Sequence, residues 1–202
     1  MSSRLSRRSR WLIGLLLVGC TSGVIWSLTG RTGNLPHAKA WRTGEAIDSL
    51  NDVRVYHNGS MGNVSGRNVV DGYNVGLRYQ CVEFVKRYYL EHYAHRMPNS
   101  YGHAKDLFDP RVEDGAMNAD RGLIQFTNPS ATRPEVGDLV VLDGWRGNAY
   151  GHVAIVSQVE NGEVEVIQQN TGSPRGTYDL DLTDGEWRIE NKRVLGWLRL
   201  PK

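Results

Sequence analysis

A thiol and an imidazole are the residues of this chain best placed for covalent chemistry. Cys81 opens the run Cys81-Val82-Glu83-Phe84-Val85-Lys86-Arg87-Tyr88, in which apolar residues at 81, 82, 84, 85, 88 and 89 recur at helical spacing. The spacing predicts a helix from Cys81 to about Tyr93, with the thiol in its first turn. There the positive end of the helix dipole lowers a thiol's pKa, and unpaired backbone N–H groups can hold an oxyanion. Gln80, just before the thiol, offers a further side-chain donor. Thiolate attack on an amide carbonyl, with a histidine relaying the proton to the leaving amine, is the chemistry such a placement serves.

Six histidines compete for the partner role. His92 sits on the same helix, roughly 16 Å away at 1.5 Å per residue, and His95 is farther still. His37 falls in a predicted tether, while His57 and His103 lie in turn-rich segments and stay open. His152 follows Gly151 and begins the buried-strand run Val153-Ala154-Ile155-Val156, a rigid platform for a base. An imidazole also needs a neighbour that fixes its tautomer. Gln168 and Asn170 end the run expected to pair with that of His152, and alternation along a strand puts them on one face, so either amide oxygen could accept the imidazole N–H. Trp145 and Tyr150 flank the turn before His152, where a substrate wall would stand.

The elements that must position these residues follow from pattern. Before the helix, Asp52 to Arg78 is rich in Gly and Asn and reads as turns around short extended pieces. Residues 98 to 130 carry scattered turn signals and one short helix near Ala104 to Phe108. Strands are predicted at Leu139 to Leu142, Val153 to Val159, Val164 to Ile167 and Val194 to Leu200, with Asn161-Gly162 as a hairpin turn and a long polar loop from Thr171 to Glu186. One early helix and a late antiparallel sheet make an α+β domain.

Composition bounds the rest. The chain has 202 residues, 40% hydrophobic and 23% charged, enough for one main domain with a real core. A net charge of +2, with Arg4, Arg7, Arg8 and Arg10 at the extreme N-terminus, gives no ground for nucleic-acid binding. Those arginines precede the uncharged segment Trp11 to Leu28, read as a membrane anchor that leaves the domain outside the cytoplasm. Leu17-Val18-Gly19-Cys20 alternatively resembles a lipobox with Cys20 as the lipidated residue, and Ser6-Arg7-Arg8 a twin-arginine signal. The expected organisation is an anchor or lipoprotein signal over 1–29, a linker over 30–51 and a catalytic domain over 52–202. With Cys20 in the membrane, Cys81 is a lone thiol in an oxidising compartment. Neither a metal nor a cofactor is expected, because no cluster of ligating residues has ligand spacing.

Taken singly, a cysteine on an apolar helix face packs, and a histidine at a strand start is satisfied locally. The ordered set says more. Gln80-Cys81-Val82-Glu83-Phe84, Pro134-Glu135-Val136-Gly137-Asp138-Leu139-Val140, Gly151-His152-Val153-Ala154-Ile155-Val156, Gln168-Gln169-Asn170 and Val194-Leu195-Gly196-Trp197 together resemble the CHAP (cysteine, histidine-dependent amidohydrolase/peptidase) domains. The similarity is greatest to the amidase domains of bifunctional glutathionylspermidine synthetase/amidases. It implies a papain-like α+β fold, with the nucleophile helix packed on an antiparallel sheet. It also implies Cys81 as nucleophile, His152 as general base, and Gln168 where the family carries a carboxylate, with Asn170 as the other candidate orienter. Lys86 stands where the glutathionylspermidine amidases place a substrate-binding arginine, and Gln80, Glu83 and Trp145 complete the expected oxyanion and substrate set.

The function expected is a membrane-tethered, extracytoplasmic cysteine amidase or endopeptidase, with peptidoglycan peptides as the amide-rich substrate of that compartment. A glutathionylspermidine-type small-molecule amidase and a catalytically silent binding module are the alternatives.

Overall fold

The computed structural model describes residues 40–202. The expected anchor and Cys20 lie outside the described residues, and among the described ones no helix is long and apolar enough to cross a membrane. Two hairpins come first. Strand β1 (Ala46–Leu50) pairs antiparallel with β2 (Val53–Tyr56), and β3 (Arg67–Val70) with β4 (Tyr73–Leu77). Helix α1 (Cys81–Tyr93) follows, then a single 3-10 turn at Lys105–Leu107.

The remaining strands are β5 (Ala116–Asn118), β6 (Leu123–Thr127), β7 (Leu139–Leu142), β8 (His152–Glu160), β9 (Glu163–Ile167), β10 (Arg175–Thr183), β11 (Glu186–Ile189) and β12 (Val194–Arg199). They form one antiparallel sheet in the order β11-β10-β9-β8-β7-β12-β6-β5. The sheet curls, because Ser130, just beyond β6, exchanges both backbone hydrogen bonds with Trp187 of β11. Alternation along β8 then feeds two cores. Val153 and Ile155 point to α1, among Cys81, Phe84, Val85 and Tyr88, while Ala154 and Val156 point into the curl with Val140, Leu180 and the fully buried Trp197.

Two expectations need correction. Residues 46–50 belong to the stretch read as linker, yet they form β1, and Ile47 and Leu50 pack against the core; the folded domain therefore begins before residue 52. The polar loop expected from Thr171 to Glu186 contains the whole of the nine-residue strand β10. Only Leu180 of that strand is buried, so it carries almost no apolar signal and is held by pairing with β9 and β11.

Asn161 and Gly162 do form the two-residue turn between β8 and β9, with φ of 52° and 76°, the positive pair that suits a twisted hairpin. Gly76 of β4 lets the helix approach closely, since a Cβ there would lie 2.9 Å from Glu83 Cα. The first two turns of α1 are accordingly buried almost all round, charged residues included.

Candidate active site

Cys81 is the first residue of α1, with Gln80 as an extended N-cap whose side chain makes no capping bond. The first intrahelical bond runs from Phe84 N–H to the Gln80 carbonyl at 3.2 Å. The sulfur lies beside the backbone N–H groups of Cys81, Val82 and Val153, the last being the residue after His152. Packing of α1 against β8 thus brings the thiol to the start of the histidine strand. The thiol is 9% exposed, and burial pushes its pKa up, outweighing the three N–H groups that pull it down. The lowered pKa expected from the helix position is therefore reversed by desolvation.

His152 is set by what precedes it. Gly151 has φ of +77°, and a Cβ there would meet the Leu142 carbonyl at 2.5 Å and the Lys105 Cβ at 2.9 Å. Only glycine lets the chain turn into β8 while touching both β7 and the 3-10 segment. The His152 ring places Nε2 at 3.0 Å from Gln168 Oε1. Gln168 gives its own amide N–H to the Ser173 carbonyl at 3.2 Å, which fixes its oxygen toward the ring. Nε2 therefore carries the proton, and Nδ1 is left as the basic nitrogen. Burial drives the pKa of His152 down to about 4; the Gln168 bond opposes this, and the positive field of Arg193 adds to it. At neutral pH the pair rests as thiol and neutral imidazole.

Asn170 does not share this task. β9 ends at Ile167, so strand alternation does not extend to Asn170, whose φ is 65°. Its Nδ2 donates to Met61 O at 2.9 Å and to Gln80 Oε1 at 2.6 Å, while its Oδ1 accepts from Asn58 Nδ2 at 3.0 Å.

The other expected substrate-facing residues are mostly engaged in holding the scaffold. Gln80 gives its Nε2 hydrogens to the carbonyls of Asn63, at 2.8 Å, and Met61, at 3.3 Å, so its side chain is not aimed at an oxyanion. Glu83 is 1% exposed and pairs with Arg87 at 2.7 Å, while also accepting from Asn68 and Gln169. Lys86 is 2% exposed, with Nζ donating to the carbonyls of Asn74 and Ser100 and lying 4.8 Å from the Tyr73 ring centre. Burial and the fields of Arg121 and Arg67 push its pKa down to about 8. A buried, carbonyl-bound ammonium cannot serve as a substrate clamp in this arrangement. Trp145 is exposed, and its ring lies over Gly147 of its own turn.

Two residues that the sequence reading passed over prove central. Gln169 is 1% exposed; it donates to the Gln80 carbonyl at 3.1 Å and to Glu83 Oε2 at 2.9 Å, and accepts from Tyr56 N–H at 2.7 Å. It ties the helix start to β2. Asn58, 3% exposed, holds the segment before the helix through Ser60 O, Asn63 O and Tyr79 N–H. Neutral amides give no periodic signal, and only the Gln168-Gln169-Asn170 run marked the neighbourhood.

Neither Cys81 nor His152 lines a nearby cleft of about 370 Å³. It lies beside them, between residues 57–61 and 170–174, with Asn170 shared between its lining and the Gln80 contact.

Among curated proteins, the chain is 27% identical over 148 residues to trypanothione synthetase of Crithidia fasciculata, covering 67% of this chain and 23% of that protein. It is 28% identical over 146 residues to the bifunctional glutathionylspermidine synthetase/amidase of Escherichia coli, covering 65% and 23%. It is 31% identical over 139 residues to glutathionylspermidine synthase of Crithidia fasciculata, covering 61% and 19%. The chain thus spans about a quarter or less of these relatives' length. Among solved structures, Ly7917 with the hydrolyzing product of MDP aligns at a TM-score of 0.38 and 19% identity, over 67% of this chain and 56% of that one. The CHAP domain model matches residues 70–170, half of the chain, and the protein belongs to that family of amidohydrolases.

Proposed function

We propose that the chain is a membrane-tethered, extracytoplasmic cysteine amidase or endopeptidase that hydrolyses an amide bond of peptidoglycan peptides. The observation that carries the chemistry is the hydrogen-bond chain Ser173 O, Gln168, His152, which leaves Nδ1 unprotonated on the residue whose neighbour, Val153, sets its backbone N–H beside the Cys81 sulfur. Nδ1 takes the thiol proton as Sγ attacks the carbonyl carbon. The tetrahedral oxyanion is met by backbone N–H groups at the helix start. The imidazolium then protonates the leaving amine, the C–N bond breaks, and water hydrolyses the thioester with Nδ1 again as base. Because thiol and imidazole are both neutral at rest, proton transfer accompanies attack rather than preceding it.

Peptidoglycan follows from the expected N-terminal anchor, which puts the domain where such peptides are the abundant amides. The names of the curated relatives favour a second reading, a glutathionylspermidine-type amidase. Incubating the full chain with purified peptidoglycan and, separately, with glutathionylspermidine, followed by mass analysis, decides between them. New termini in peptidoglycan peptides support the first reading, and release of spermidine alone supports the second. No cleavage of either leaves the silent binding module.

A further inference from the structure

We infer that the hairpin of β1 and β2 orients the active site, with Arg175 and Asp48 as positioning residues that hold Gln168 and, through it, the His152 ring. The reaction they serve rests on the amidase reading; the positioning itself can be read without substrate. Gln168 is held by two successive carbonyls: Pro174 O takes its backbone N–H at 2.9 Å, and Ser173 O takes its Nε2 at 3.2 Å. Ser173 O also accepts from Thr171 Oγ1 at 2.6 Å. Both carbonyls belong to a loop, since β9 ends at Ile167 and β10 starts at Arg175, and residues 171–173 are exposed. Burial therefore does little to fix them. Arg175 forms the last rung of the β9–β10 ladder, opposite Ile167, where a sheet opens most easily.

The Arg175 side chain closes that rung from outside. Its Nε and Nη2 grip the two Asp48 oxygens at 2.8 and 3.1 Å, and Nη2 also reaches Ser49 O at 3.0 Å. Its Nη1 bonds Glu165 at 2.9 Å, and Glu165 accepts in turn from Ser157 Oγ of β8, the strand of His152, at 2.7 Å. A second bond from the same hairpin, Tyr56 N–H to Gln169 Oε1 at 2.7 Å, holds the loop at its other end. The hairpin thus brackets the loop at 169 and 175, with Ser173 and Pro174 between. Strands β1 and β2 form a two-stranded sheet of their own, so these bonds are not by-products of a shared ladder. Arg175 and Asp48 are 33% and 24% exposed in their side chains, and such a pair adds little to global stability. What a two-point guanidinium–carboxylate fork supplies is direction.

The test is the tautomer of His152, read by nitrogen NMR on the full chain, together with kcat and KM for the cleaved substrate. The unsubstituted chain should show one tautomer, with the proton on Nε2. Arg175→Met, or the isosteric Asp48→Asn where the first does not fold, is expected to admit the Nδ1–H tautomer. The same variants should lower kcat about 5–20-fold and leave KM within about twofold. Arg175→Lys keeps the charge but loses the fork, and should fall between the two. A single Nε2–H tautomer in both Arg175→Met and Asp48→Asn overturns the proposal even if the variants are less stable, because a purely structural pair would behave that way. Mixed tautomers with unchanged kcat overturn it as well. If the unsubstituted chain cleaves neither peptidoglycan nor glutathionylspermidine, the amidase reading falls, and the tautomer alone decides whether the hairpin positions His152.

Discussion

His152 donates from Nε2 to Gln168 Oε1 across 3.0 Å, and Gln168 is held by its own donation to the Ser173 carbonyl. Turning the amide over would set N–H against N–H and oxygen against oxygen, so the tautomer of His152 is locked from two sides. Replacing the amide by a carboxylate changes the electrostatics while keeping the shape. We expect Gln168→Glu to raise the pKa of His152 and to move the acid limb of the kcat/KM profile upward by about 1–2 pH units. Gln168→Leu, which leaves the ring unoriented, should lower kcat/KM by about 10–100-fold. A pH–rate profile identical to that of the unsubstituted chain would sever Gln168 from the mechanism.

The buried thiol gives a second expectation. Its pKa is held up by desolvation, so iodoacetamide labelling of Cys81 should show a midpoint at or above that of a free thiol, about 8.5. Cys81→Ala should abolish hydrolysis and leave the fold intact, because the side chain contributes little to the core beyond a methyl-sized volume. A labelling midpoint well below the free-thiol value would mean a preformed thiolate–imidazolium pair, and the concerted proton transfer would be wrong.

His152 also links stability to pH. Its pKa is about 4 in the folded chain against 6.5 in the unfolded one, so the unfolded chain takes the proton first as pH falls. The stability associated with a neutral ring is fully present above pH 6.5 and is lost as pH falls toward 4. The full shift would correspond to about 3 kcal/mol, and the ring's partial exposure reduces the expected loss to about 1–2 kcal/mol. Urea midpoints at pH 7.5 and 4.5 for the unsubstituted chain and for His152→Asn isolate this contribution. Equal pH dependence in both would show that other groups account for it.

How much of this was legible in the chain depends on the kind of signal each residue carries. Helix α1 was legible from its apolar spacing, and β7, β8, β9 and β12 from β-branched runs, because burial of one or both faces selects those residues. β10 was not legible, since its pairing is made by backbone and only Leu180 needs to be apolar. In the site, Cys81 and His152 stood out as rare, reactive types at element starts. The roles of Glu83 and Lys86 did not, because a charge on a helix reads as solvated unless the partner that buries it is known. Those partners, Gln169 and the carbonyls of Asn74 and Ser100, come from segments distant in sequence or lacking any periodic pattern.

Glu83 supplies the sharpest structural expectation. Its carboxylate is buried beneath the helix start and receives Arg87 Nε at 2.7 Å, Asn68 Nδ2 at 2.9 Å and Gln169 Nε2 at 2.9 Å. Removing it strands the Arg87 guanidinium, itself only 6% exposed, over the Tyr56 ring with no carboxylate. Breaking a buried pair in this way costs about 3–5 kcal/mol, more than either partner contributes as part of the intact pair. We therefore expect Glu83→Ala to lose most of the chain's stability in urea, and Glu83→Leu combined with Arg87→Met to recover a large part of it. Gln169 would lose its bond to Glu83 in the double variant, so its remaining bonds to Gln80 O and Tyr56 N–H would have to position the helix start alone. If they suffice, the double variant keeps hydrolysis; if it folds yet fails to cleave, the carboxylate positions Cys81 as well as stabilising the fold. A Glu83→Ala chain as stable as the original would show that this buried network does not hold the helix.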